Sequence, residues 1–111
     1  MCYYSVVKPT DLPTKCCPEL QEALNPVLFH ALADETRLTL LMRLVAAEEA
    51  QTVTELADCC GVHLSGVSRH LAMLRDAEIL DAQKHGREVR YSLRRTQLAG
   101  TLRMIADAIE A

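Results

Sequence analysis

The chain has 111 residues, half of them apolar, which is material for one hydrophobic core and not for two. Leu and Ala are abundant beside one Phe, three Tyr and no Trp, a composition that suits packed helices and disfavours a β-sandwich. The net charge of −3 argues against a nucleic-acid partner until its distribution is read: four Lys/Arg against nine Asp/Glu over residues 1–62, seven against four over 63–95, and one against two from 96 onward. Positive charge is thus gathered in one contiguous third of the chain.

Residues 1–18 hold three of the four prolines, Pro9, Pro13 and Pro18, and read as an irregular N-terminal arm. Residues 19–111 read as one folded domain. Leu20, Leu24, Leu28 and Leu32 recur at i+4 and predict a helix. Pro26 divides it into a piece near Glu19–Leu24 and a second over Pro26–Ala33. Asp34 is placed to cap the next helix, Glu35 to about Ala47, with Leu38, Leu41, Met42 and Val45 as the expected buried face. Thr52 and Glu55 stand three apart as a capping box and open a short helix expected to end near Cys59-Cys60. Gly61 follows, where a left-handed residue is usual. Leu64 to Ala77 reads as a helix with Val67, Leu71 and Leu74 inward and Ser65, Ser68, Arg69 and Arg75 outward. The period then changes. Ile79–Lys84, a His85-Gly86 turn and Arg87–Leu93 read as a hairpin, because apolar and polar residues alternate from Glu88 to Leu93. Arg95 or Thr96 to Glu110 closes the chain as a helix with Leu98, Leu102, Ile105 and Ile109 on one face. Counting the helix interrupted at Pro26 as one, the order is α-α-α-α-β-β-α, a mainly α fold with a β-hairpin.

Helix, tight turn and second helix over Thr52–Ala77 make a helix-turn-helix, and the hairpin after it makes a wing. The N-terminal half of the second helix approaches base edges in such folds, so it needs short polar and basic residues. His63, Ser65, Gly66, Ser68, Arg69 and His70 meet that need. Gly66 costs about 1 kcal/mol of helix propensity but permits close approach. Lys84, His85, Arg87 and Arg90 on the wing suit phosphates or a minor groove. The same shapes also occur as plain packing units, and Ser and Arg on a helix face are usually just solvated.

Three ordered motifs carry a resemblance. Leu32-Ala33-Asp34-Glu35-Thr36-Arg37-Leu38 is similar to the opening "ALADPTRLxIL" of ArsR–SmtB repressors, with Glu35 where proline is usual. Val67-Ser68-Arg69-His70-Leu71-Ala72-Met73-Leu74-Arg75-Asp76-Ala77 resembles their "VSxHLxxLRxAG" recognition helix, with Glu78 in place of glycine. Gly86-Arg87-Glu88-Val89-Arg90-Tyr91-Ser92-Leu93 resembles their "GRxVxYxL" wing. The likeness runs from about Leu28 to the C-terminus. It implies a winged helix-turn-helix repressor that binds double-stranded operator DNA as a homodimer built from the first and last helices.

Five cysteines are many for this length: Cys2, Cys16-Cys17 and Cys59-Cys60. An odd count fits a closed disulfide framework poorly. The N-terminus has no apolar stretch after a basic start and no apolar run is long enough to span a bilayer, so the expectation is a cytoplasmic chain with reduced thiols and no membrane partner. Thiolates select soft ions. As(III) and Sb(III) favour three sulfurs, and Hg(II), Cd(II), Pb(II) and Cu(I) also favour sulfur. Cys16 and Cys17 in the arm and Cys59 and Cys60 at a helix end both lie where an irregular backbone lets adjacent residues serve one ion. No organic cofactor is expected. The family's "CVC" box would fall at Thr52-Val53-Thr54, where no cysteine stands, and the family's zinc site on the last helix needs a His that Thr96–Ala111 lacks. The resemblance therefore points to a scheme in which arm cysteines act with one on the partner's helix. Free cysteine is also a common small core residue, which leaves both pairs open to an inert reading.

The reading that follows is a repressor released from DNA when As(III) or a similar ion binds cysteine thiolates. The alternatives are a thiol redox or persulfide switch on the same scaffold, and a constitutive DNA-binding module with inert cysteines. An enzyme is disfavoured: Asp58, His63 and Ser65 are triad residue types, but nothing orients them and no nucleophile elbow is present.

Overall fold

The computed structural model describes residues 18–58, 61 and 63–111. Helix α1 spans Pro18–Ala23, α2 Pro26–Leu32 and α3 Glu35–Ala46; strand β1 covers Gln51–Thr52, followed by α4, Val53–Ala57, and α5, Leu64–Asp76. Strands β2, Leu80–His85, and β3, Glu88–Leu93, lead into the last helix α6, Arg95–Glu110. The winged helix-turn-helix order expected from the sequence is present.

Local chemistry accounts for the boundaries. The Asn25 side chain accepts a hydrogen bond from the Val27 N–H at 3.0 Å, opening α2 with Pro26 in its first turn. Asp34 accepts from the Arg37 N–H at 3.0 Å and opens α3. The Thr52–Glu55 box is closed in both directions: the Glu55 N–H donates to Thr52 Oγ1 at 3.2 Å, and the Thr52 N–H donates to Glu55 Oε1 at 2.8 Å. These backbone donors hold the carboxyls of Asp34 and Glu55 below their ordinary pKa values.

Three details depart from the sequence expectation. First, β1 pairs antiparallel with β3, Gln51 opposite Tyr91 and Thr52 opposite Arg90, so the wing is a three-stranded sheet in the order β1-β3-β2. Two residues are too short to show alternation. Second, the hairpin turn is one residue later than expected. His85 pairs with Glu88 and the turn is Gly86-Arg87. Gly86 has φ +65°, and glycine at the first position suits the primed turn that matches strand twist.

Third, the buried face of α3 consists of Arg37, Leu40 and Leu44. Leu38, Met42 and Val45 are 43%, 63% and 52% exposed, and Leu41 is half-buried against the core. Both stripes have helical spacing, so period alone does not set the phase.

The core joins Leu28 and Ala31 of α2, Leu40 and Leu44, Leu56 of α4, Val67, Leu71 and Leu74 of α5, and Ile79, Leu80 and Tyr91. The inward face expected for α5 is the one observed. Arg95 ties α6 to this unit by donating from Nη2 to the carbonyls of Leu44, Val45 and Ala47 at 2.9–3.1 Å, which caps the C-terminus of α3. Helix α1 packs against α6, which buries no residue fully within one chain.

Candidate nucleic-acid interface

Helix α5 packs its apolar side on α3, α4 and β2 and leaves the other side to solvent. Ser65, Ser68 and Arg69 are exposed there, Gly66 is half-buried, and His63 stands exposed at the N-cap with no side-chain cap bond. On the wing, Lys84, His85 and Arg87 are exposed, with Arg87 in the turn. Among the described residues Arg69, Lys84 and Arg87 have no ion-pair partner, whereas Arg75 pairs with Asp76 at 3.0 Å and Arg94 with Glu78 at 3.5 Å. Unpaired, solvated cations are available to phosphates without breaking a contact in the fold. Arg90 differs from that expectation in setting: it is half-buried and donates to Glu88 Oε1 at 3.3 Å.

His70 is also held. Its Nδ1 lies 3.0 Å from Nη1 of Arg37 and 3.9 Å from Oδ2 of Asp34. Arg37 is the one buried charged side chain among the described residues. Its Nε donates to the Ala31 carbonyl at 2.7 Å, Nη2 to the His30 carbonyl at 3.3 Å, and Nη1 also approaches Met73 Sδ at 3.4 Å. One side chain therefore joins the end of α2, the start of α3 and the middle of α5. A guanidinium tolerates burial because carbonyls and an imidazole replace its water. The sequence carries the sign of this only in the Asp34–Arg37 spacing at the helix start.

The cysteines Cys2, Cys16, Cys17, Cys59 and Cys60 lie outside the described residues. Among the described residues no three His, Cys, Asp or Glu side chains stand close enough to hold a metal ion. No helix among them is long and apolar enough to cross a membrane.

Similarity to known proteins follows the same lines. Residues 32–82 match a helix-turn-helix domain family model. The arsenic resistance transcriptional regulator ArsR1 of Pseudomonas putida is 40% identical over 75 residues, 67% of this chain and 58% of that protein. The HTH-type transcriptional regulator CmtR of Mycobacterium bovis is 34% identical over 93 residues, covering 84% of this chain and 77% of that one. An ArsR-like transcriptional regulator from Rhodococcus sp. RHA1 superposes with a TM-score of 0.63 at 30% identity, covering 80% of this chain and 77% of its own.

Proposed function

The chain belongs to the ArsR/SmtB family of winged helix-turn-helix transcriptional regulators, and from that premise we propose that it is a homodimeric repressor that leaves its operator when As(III) or a similar thiophilic ion binds its cysteine thiolates. The DNA-reading set is His63, Ser65, Gly66, Ser68, Arg69 and His70 on or before α5, with Lys84, Arg87 and Arg90 on the wing. The inducer set is Cys16, Cys17, Cys59 and Cys60, with residues 1–18 as a cysteine-bearing arm on the folded domain.

The observation that carries the inducer reading is the place of Cys59 and Cys60 in the chain. In sequence, Cys59 and Cys60 stand between Ala57, where α4 ends, and Leu64, where the recognition helix α5 begins. Thiolates drawn together there act directly on the seat of α5. Cys16 and Cys17 precede α1, and a shared site would use both of them with Cys59 or Cys60 of the partner. The similarity to an arsenic resistance regulator supports As(III) within the thiophilic class. The ion must bind the DNA-free form more tightly, since equal affinity for both forms shifts nothing. A coupling of about 1–3 kcal/mol is ordinary for such a device.

The test uses a protein with Cys16 and Cys17 both changed to Ser and a duplex selected from a random library by the parent protein. The variant is expected to fold, dimerise and bind the duplex as the parent does, and to stay bound when arsenite is added anaerobically. Release as complete as the parent's removes the arm from the sensor. Release of the parent by peroxide or polysulfide, but not by arsenite, assigns the cysteines to redox sensing. If Cys59→Ser and Cys60→Ser are silent as well, the thiols are packing groups.

A further inference from the structure

The bond between Arg37 and His70 has a consequence for the DNA-facing side of α5. A guanidinium has donors and no acceptor, so Nδ1 of His70 must accept the 3.0 Å bond from Arg37 Nη1. In a neutral imidazole the proton then sits on Nε2. Among the described residues no buried side-chain nitrogen or oxygen lacks a hydrogen-bond partner, and Nε2 makes no bond within the fold. It therefore reaches the surface, in keeping with the 25% exposure of the His70 side chain. Arg69, the residue before it in the chain, is exposed and unpaired among the described residues.

We propose that Arg37 is a positioning residue for DNA binding, which locks His70 in the tautomer carrying the proton on Nε2 so that this N–H donates to a backbone phosphate oxygen. The proposal rests on the DNA-binding reading of α5. A phosphate oxygen only accepts, and a ring free to exchange tautomers would present a lone pair to it part of the time. Arg37 is itself fixed by the carbonyls of Ala31 and His30, so the lock is anchored in the α2–α3 junction. Asp34, 3.9 Å from Nδ1, already accepts the Arg37 N–H as the cap of α3. The contact assigned to His70 is a neutral one. It adds a bond at fixed register and displaces no counterion.

Two measurements test this. Long-range proton–nitrogen correlation spectra of the free parent protein at neutral pH should show His70 with Nδ1 bare and Nε2 protonated, and Arg37→Met should bring both tautomers into view. A parent spectrum with the proton on Nδ1, or an even mixture, overturns the proposal without reference to DNA. Should Arg37→Met fail to fold, two substitutions at His70 separate the nitrogens. Asn offers an amide oxygen near the place of Nδ1 and no outer donor, while Gln carries an amide N–H₂ out to the place of Nε2. On a duplex selected by the parent from a random library, H70Q is expected to stay within about threefold of the parent. H70N should lose about tenfold or more, on selected and random duplexes alike, with the salt dependence unchanged. Equal binding by H70N and H70Q overturns the phosphate contact. A salt slope lowered by about one in H70N overturns the neutral tautomer. If the parent itself selects no duplex, the DNA-binding reading falls, while the spectra still decide the Arg37–His70 lock.

Discussion

Arg69 and Arg87 are both exposed and both unpaired among the described residues, and the proposed function gives them different roles on a duplex. Arg69 projects from a helix shaped to enter a major groove, where a guanidinium reads guanine through two parallel bonds. Arg87 sits in a turn beside Gly86, and the proposal places it on the backbone or in a minor groove. Arg69→Ala is accordingly expected to cost roughly 1–3 kcal/mol on a selected duplex and to relax preference at one base position. Arg87→Ala should weaken selected and random duplexes alike and lower the slope of log affinity against log salt by about one. Titration of both variants at several salt concentrations checks the pair, and unchanged affinity in both would remove these residues from the interface. Such cations are legible in a sequence because a solvated side chain needs nothing from the rest of the fold. Arg37 is the opposite case. It lies on the stripe with Leu40 and Leu44, and a lone arginine there makes the stripe read as polar. Leu38, Met42 and Val45 then look like the better core face. The choice is decided by acceptors from distant parts of the chain, the carbonyls of His30 and Ala31 and the ring of His70, and helical period carries no trace of those.

Helix ends were the most legible elements, since a cap needs only its own neighbours; strand pairing was less so, since β1 exists only through its partner β3. The end of α5 shows how local rules and the actual residue can conflict. The Ile79 N–H donates to the Leu74 carbonyl at 3.0 Å and the Glu78 N–H to the Arg75 carbonyl at 2.9 Å, the paired bonds of a Schellman motif. Ile79 and Leu74 are also both core residues, which supplies the apolar contact that accompanies it. That motif wants glycine at its left-handed position, and here the residue is Glu78 with φ +63°. Its carboxylate meets Arg94 at 3.5 Å, but the Glu78 side chain is 82% exposed, so the pair offsets little of the strain. Glu78→Gly is expected to stabilise the protein by about 1 kcal/mol and to raise the thermal midpoint by roughly 4–8 °C. Calorimetry checks this. A midpoint equal to or below the parent's would mean that the Arg94 contact outweighs the backbone term.

At the scale of the molecule, apolar side chains stand exposed among the described residues. Helix α6 has no fully buried residue; Leu102 is 44% and Ile109 77% exposed, and Leu24 near α1 is 43% exposed. Leu98, Leu102, Ile105 and Ile109 repeat along one face, and of these four only Leu98 packs on the core formed by the described residues, the pattern the proposed dimer would use. A small domain gains from burying such a face against a copy of itself. The cysteines lie outside the described residues, and thiol content in a sequence names a class of ligand without giving the geometry of a site. Two faces compete for the dimer contact: the α1–α6 face, and the stripe of Leu38, Met42 and Val45 on α3. Substitution by charge separates them. Sedimentation of the parent is expected to give a dimer. Leu102→Glu with Ile109→Glu should give a monomer, and Met42→Glu should stay dimeric. Monomers should bind the selected duplex far more weakly, because a two-fold dimer holds two half-sites about 34 Å apart with one chain's binding making the other's intramolecular. Should Met42→Glu be the variant that dissociates, α3 is the dimer face, and the two reading heads are spaced by the helix-turn-helix core itself rather than by α6.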